Sequence, residues 1–291
     1  MSFTDAQAIM WVNGELVPAG QATIPALDHG LTVGDGVFEA VKVVRGQAFM
    51  LQQHIERLER SANGLGLEFP GQKELNLAAS AILAANHGLL QDTNAVLRVT
   101  LTAGVGQVGS GRLDKATPRL LLAVTHLPDM PATTSCITVP WQRNSHGALT
   151  GLKTTSYAEN ALALAKAKAA GASEALWANS EGNLCEGTGS NVFVVLDGEL
   201  ITPPLTDGPL SGITRALVIQ WSGVTERSVP FEALFQASEV FLTSTGRNVQ
   251  GVTKIDGQPI GNGQLGPVTA EAAEVFALGE ARLLQAPDTV S

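Results

Sequence analysis

Long apolar runs are missing from this sequence of 291 residues. Hydrophobic residues make up 44% of it, yet no stretch is long enough to cross a bilayer. The opening segment MSFTDAQAIMWVNGEL has neither a basic n-region nor an apolar h-region, so no secretory signal is predicted. Cysteine is scarce as well. Cys136 and Cys185 stand far apart, and with five histidines they form no metal-ligand spacing. The charge excess is acidic, a formal net of −9, which argues against a general nucleic-acid binder. It leaves room for an anionic ligand, because local fields decide that. Internal repeats and low-complexity tracts are absent. These absences predict a cytoplasmic protein with reduced thiols, without a metal, a membrane or a nucleic-acid partner.

What remains is enough for a sizeable core: only 15% of residues are charged, and the length suggests about two domains. AIMWVNGELV reads as strand, turn at Asn13-Gly14, strand, and GVFEAVKVVRGQAFML repeats the pattern with its turn at Arg45-Gly46. LQQHIERLERSANGLGL places Leu51, Ile55 and Leu58 on one helical face. KELNLAASAILAANHGLL predicts a second helix ending at Gly88. AVLRVTLTAG and RLLLAVTHL read as strands joined by a Gly-rich loop. PDMPATT reads as a linker, so the expected domains are residues 1–128, a small N-terminal α+β domain, and 134–291, a larger one. The second half mixes strands (CITVPW, EALWANS, NVFVVLDGELITPP, EVFLTST) with helices after Lys153 and after Gly212. Hairpins and helices without regular βαβ alternation predict the α+β class.

Several stretches carry candidate chemistry. In LTGLKTTSYAENALALAKAKAAG, Ser156 and Glu159 have the spacing of a capping box before a helix from Tyr157 to Ala170. Lys153 precedes that cap, fenced by Thr154, Thr155 and Ser156. It reads either as a surface lysine or as an amine nucleophile. HIERL sets His54 and Arg57 on one helical face, either as a solvated ion-pair face with Glu56, Glu59 and Arg60 or with Arg57 as a phosphate clamp. SGITR puts Ile213 and Thr214 at a helix start, where free N–H groups and the helix dipole favour an anion. FLTSTGRNV offers hydroxyls at Thr243, Ser244 and Thr245, and CEGTGSN sets Glu186 in a small-residue loop, as a turn acid or a partner for a cationic nitrogen. GVGQVG has dinucleotide-type glycine spacing, but SGRLDKATP follows it where a helix should open, so a flexible loop is the better account. Taken in order, an isolated amine, an acid, an arginine, hydroxyls and a helix start form the set that pyridoxal phosphate requires.

At this point the chain resembles the class IV aminotransferases, the fold-type IV pyridoxal-phosphate enzymes. That family includes D-amino-acid and branched-chain aminotransferases, (R)-selective amine transaminases and aminodeoxychorismate lyase. The resemblance runs from GDGVFEAVKV and HIERL through LKTTSYAEN, EGTGSNVFVV and SGITR to LTSTGRNVQGVTKIDG. It implies a small N-terminal α+β domain, a larger C-terminal domain with a barrel-like core, the cofactor between them, and a homodimer. It further implies Lys153 as Schiff-base lysine and proton carrier, Glu186 against the pyridine nitrogen, and Arg57, Ile213, Thr214 and Thr245 around the phosphate. Tyr157 falls where some members place a tyrosine near the ring oxygen. Substrate contacts would come from Phe38, Arg98 or Arg112. The implied reaction moves an amino group between an amino acid, of D-amino-acid or branched-chain type, and a 2-oxo acid. The alternative is the lyase reaction that releases pyruvate to give 4-aminobenzoate.

Overall fold

The computed structural model describes residues 8–114 and 116–285. By internal contacts the chain forms two compact units, one of residues 8–128 with Leu152–Tyr157, the other of residues 129–151 and 158–285. The first break falls at the start of PDMPATT. The short segment around Lys153, expected in the C-terminal domain, packs with the first unit.

The first unit comprises β1 (Ile9–Val12), β2 (Glu15–Pro18), the single turn α1 (His29–Thr32), β3 (Gly36–Val44), β4 (Gln47–Ala48), α2 (Leu51–Gly64), α3 (Gln72–Ala85), the single turn α4 (His87–Leu90), β5 (Asn94–Thr102) and β6 (Arg119–His126). Its sheet runs β2-β1-β6-β5-β3-β4, antiparallel throughout. Both hairpins turn where expected. Asn13-Gly14 and Arg45-Gly46 have positive φ at both positions, which matches the twist of the flanking strands. Val37, Val41 and Val43 of β3 pack with Leu97, Val99 and Leu101 of β5 beneath Ile55 and Leu58 of α2 and Leu75 and Ile82 of α3. The second predicted helix stops at Ala85 rather than Gly88, because the Asn86 amide turns back to the Ile82 and Ile9 carbonyls.

No helix opens on the GVGQVG loop. The loop is instead stitched to the segment before α1: His29 N–H donates to Gly104 O at 2.8 Å and Gly106 N–H to Leu27 O at 3.1 Å. The His29 ring Nε2 meets the Gln107 carbonyl at 3.0 Å, so that nitrogen carries the proton. Gly106 lies flat on the imidazole, and a Cβ there would collide with it.

The second unit contains β7 (Thr133–Arg143), α5 (Ala158–Ala169), β8 (Glu174–Asn179), β9 (Leu184–Gly187), β10 (Asn191–Leu196), β11 (Glu199–Thr202), α6 (Ile213–Ser222), β12 (Thr225–Glu226), β13 (Glu239–Ser244), β14 (Asn248–Ile255), β15 (Gln258–Pro259) and α7 (Pro267–Gln285). These strands form one mixed sheet in the order β12-β11-β10-β13-β14-β7-β8-β9, with β15 on β14, curled as half a barrel. Val192, Val194, Val240, Leu242 and Val252 fill the centre of its core. Helix α5 begins at Ala158, one residue later than expected, and the capping box does not form. The Ser156 hydroxyl donates to the Gly34 carbonyl instead, at 3.0 Å. Lys166 and Lys168 are exposed on α5. Helix α7, which lacks a local cap, begins on Glu239 of β13, whose carboxylate accepts from Val268 N–H, Thr269 N–H and the Thr269 hydroxyl at 2.7–3.1 Å.

Candidate active site

Strand β3 meets β5 along one edge, and its far end meets β4 along the other. Near its start that second edge is taken by Lys153–Thr155. Phe38 N–H donates to Lys153 O at 2.9 Å and Thr155 N–H to Gly36 O at 2.8 Å, with a bridge between Val37 and Thr154. Lys153 N–H donates to the Ser61 hydroxyl of α2 at 3.1 Å. The backbone of the lysine is therefore fixed on both sides. Its Nζ lies 4.3 Å from the centre of the Phe38 ring and 3.5 Å from the Tyr157 hydroxyl. Tyr157 meets Phe38 edge to face at 5.1 Å, and the Arg98 guanidinium stacks on Phe38 at 3.3 Å. Burial pulls the Arg98 guanidinium down to about 10, against the fields of Tyr157 and Glu39. It remains a cation at neutral pH. Lys153, Tyr157, Phe38 and Arg98 thus form one cluster.

Successive strand residues face opposite sides. Phe38 faces the lysine, and Glu39 faces α2. There Arg57 and His54 are buried rather than solvated, and their partner is Glu39, not Glu56 or Glu59. Arg57 Nε and one terminal nitrogen donate to the two Glu39 oxygens at 2.7 Å each, and His54 Nδ1 donates to Glu39 Oε2 at 2.7 Å. Burial alone would raise the Glu39 carboxyl; the charge and hydrogen bonds of Arg57, helped by His54, hold it at about 2. Burial pushes His54 below its usual range. Arg112 stands apart from the lysine cluster. It grips Asp35 through two nitrogens at 2.6 Å and donates to the Leu65 and Gly66 carbonyls, so its fork already holds a carboxylate of this chain.

In the second unit Glu186 lies on β9 opposite Trp177. Its Oε2 accepts from Leu210 N–H at 2.9 Å, and Arg143 Nε lies 3.6 Å from Oε1 while the guanidinium covers the Trp177 ring at 4.3 Å. The Leu210 carbonyl accepts from the Asn191 amide at 2.8 Å, which brings the chain entering α6 beside β10. Gly212 precedes α6 and makes no side-chain cap, which leaves the place of an anion at Ile213 and Thr214 open. A Cβ at Gly212 would strike the Asn191 amide. Asn191 pairs with Thr243 of β13, two residues before Thr245. The acid, the helix start and the hydroxyl turn are thus linked through Asn191 and Leu210.

The donors fit pyridoxal phosphate: an amine beside a phenol, a carboxylate suited to a cationic ring nitrogen, an arginine, and an uncapped helix start for a dianion. Residues 36–255 match the family model of amino-transferase class IV. The chain belongs to the class IV aminotransferase family. A relative from Methanocaldococcus jannaschii, named provisionally as a branched-chain-amino-acid aminotransferase, is 34% identical over 277 residues, 92% of this chain and 94% of its own. The D-alanine aminotransferase of Bacillus licheniformis is 32% identical over 274 residues, 88% and 92%. The branched-chain amino acid aminotransferase of T.th., solved with pyridoxamine 5'-phosphate, superposes with a TM-score of 0.87 at 29% identity, covering 95% of each chain. The aminotransferase accordingly depends on pyridoxal phosphate and acts on amino and keto acids. No helix among the described residues is long and apolar enough to cross a membrane, and no group of His, Cys, Asp or Glu among them could hold a metal.

Three polar residues that organise these surroundings gave little sign in the sequence. Glu39 interrupts the apolar face of Val37, Val41 and Val43, and that interruption is the only signal it leaves. Glu174, 2% exposed, accepts from Thr188 N–H, the Thr188 hydroxyl and the Ser190 hydroxyl, and fixes the loop after Glu186. Arg143 ends a strand that reads as PWQR, a stretch typical of any exposed edge.

Proposed function

We propose that Lys153 binds the cofactor and carries the proton, that Glu186 partners the pyridine nitrogen, and that Arg57, Ile213, Thr214 and Thr245 hold the phosphate, with Tyr157 near the ring oxygen. The cofactor, when bound, supplies the electron sink. The chain's own residues bind, orient and move a proton. The observation that carries this reading is the Lys153 cluster: the lysine backbone is held by hydrogen bonds on both sides, and its amine lies against the Phe38 ring and the Tyr157 hydroxyl. The Tyr157 hydroxyl lies 3.5 Å from Nζ, within hydrogen-bond reach of the lysine.

For the substrate we infer an aliphatic amino donor, of branched-chain or D-amino-acid type, and a 2-oxo acid acceptor. The support is Arg98, a cation able to hold a carboxylate, placed with Lys153 on the aromatic Phe38 ring. Relatives named for both substrate types fit this range. A cytoplasmic homodimer accords with the reading. Leu27, Leu31 and Val108 are large apolar side chains left exposed in the first unit, and light scattering during size exclusion tests the dimer.

The decisive experiment pairs a substrate screen with a lysine variant. D- and L-amino acids are offered with 2-oxoglutarate or pyruvate, beside aminodeoxychorismate. Lys153→Ala is expected to lose the visible band of the lysine-bound cofactor and to lower turnover by several powers of ten. Turnover near wild type in that variant would sink the assignment of Lys153. Pyruvate release from aminodeoxychorismate, with no transamination, would move the chain to the lyase reaction.

A further inference from the structure

Glu39 is 1% exposed and Arg57 4%, on a face otherwise built from Val41, Ile55, Leu58 and Val99. Burying an ion pair in such a place seldom adds stability over well-packed apolar residues. What it does add is geometry. Two parallel bonds of 2.7 Å fix both the plane and the roll of the Arg57 guanidinium. A third bond, from His54 Nδ1 to Glu39 Oε2, stops the carboxylate from rotating. With His54 neutral, the trio has no net charge, so an anion nearby is met by directed N–H groups and not by a bare cation.

We propose that Glu39, braced by His54, is the positioning residue that orients Arg57 toward the cofactor phosphate. This rests on the reading of Arg57 as a phosphate ligand. Two opposite expectations separate positioning from a simple field effect. If Arg57 acted only through its charge, removing the Glu39 charge would strengthen phosphate binding. If Glu39 acts by orientation, removing it weakens binding, and only for ligands that carry the phosphate.

The test titrates the apoprotein with pyridoxal phosphate and, separately, with pyridoxal. Glu39→Gln leaves one acceptor oxygen where there were two. It is expected to raise the Kd for pyridoxal phosphate about tenfold, the equivalent of one charge-assisted hydrogen bond. The Kd for pyridoxal should stay within about twofold, less than the smallest bond lost would give. Circular dichroism and a thermal melt check the fold. If Glu39→Gln does not fold, Glu39→Asp, which keeps the charge and shortens the reach, is read by the same criteria. Unchanged or tighter binding of pyridoxal phosphate overturns the proposal, and so does an equal loss for both ligands, which would mark a general packing role. Arg57→Ala separates the two layers. If it too leaves the Kd for pyridoxal phosphate unmoved, the phosphate reading of Arg57 fails and the proposal with it. If Arg57→Ala weakens binding and Glu39→Gln does not, only the positioning role is lost.

Discussion

Replacing Glu174 by alanine should destabilise the second unit more than any surface change could. Its carboxylate receives Ala175 N–H and Thr188 N–H at 3.0 Å, the Thr188 hydroxyl, and the Ser190 hydroxyl at 2.8 Å, with Arg247 at 3.6 Å. Almost nothing there reaches water, since Glu174, Thr188 and Ser190 are all buried. Each stranded donor costs about 1–3 kcal/mol, and breaking a buried ion pair from one side costs about 3–5 kcal/mol. Because these contributions overlap at one carboxylate, the expected loss is about 3–5 kcal/mol, a large share of the ~5–15 kcal/mol that holds a domain together. Glu174→Gln should lose less, about 1–2 kcal/mol, because its carbonyl still serves Thr188 and its amide can donate to Ser190. Urea unfolding of the apoprotein followed by tryptophan fluorescence is the assay. Of the four tryptophans, Trp141, Trp177 and Trp221 belong to the second unit, so the signal reports it. The midpoint for Glu174→Ala should fall by about 1–3 M urea. A midpoint equal to wild type, or a glutamine variant weaker than the alanine one, would refute the reasoning.

Glu186→Gln should keep the cofactor bound while turnover falls, because an amide cannot stabilise a protonated pyridine nitrogen; an unchanged rate at full occupancy would make Glu186 a structural acid. Arg112→Ala and Asp35→Ala should lower kcat/KM by similar factors with the cofactor band intact, since each breaks the same anchor of the loop from Gly104 to Arg112. If Asp35→Ala instead tightens KM while Arg112→Ala weakens it, Arg112 is the substrate's carboxylate ligand. Stability should decline in acid in two stages, measured as urea midpoints against pH. His54 resists the proton that the unfolded chain accepts near 6.5, so the first loss begins as pH falls below that value. Glu39, held at about 2 against an ordinary 4.5, adds a second loss between those values. A flat profile from pH 7 to 4.5 would contradict the first stage, and a flat one from 4.5 to 2 the second.

Hairpins, the first helix and the break near residue 128 were legible because their signals are local: Asn-Gly and Arg-Gly turns, a helical apolar stripe, a Pro-rich connection. The proposed cofactor set could be read only as an ordered combination, since Lys153, Glu186 and Arg57 each read as ordinary surface residues alone. What stayed hidden depends on distant partners. Ser156 and Glu159 have capping spacing, yet pairing of Lys153–Thr155 with β3 draws the Ser156 hydroxyl to Gly34. Helix α7 has no cap in its own sequence because Glu239, almost thirty residues earlier, supplies it. HIERL looks solvated until Glu39, fifteen to eighteen residues upstream, is placed beneath it. Arg112 looks like the mobile cation of a glycine loop, and no local rule points to Asp35.

The chain enters the first unit twice, once from its start and once for the six residues Leu152–Tyr157. The two compact units are therefore not two consecutive pieces of polypeptide. Cleavage in the connection after Pro128 would yield a fragment carrying Phe38, Arg57 and Arg98 but without Lys153, whose strand would leave with the other piece. The Phe38 N–H and the Gly36 carbonyl would then lie unpaired along an open edge of the sheet, the arrangement that recruits foreign strands. Any split version of this protein has to give that edge its missing six residues back, and with them the amine.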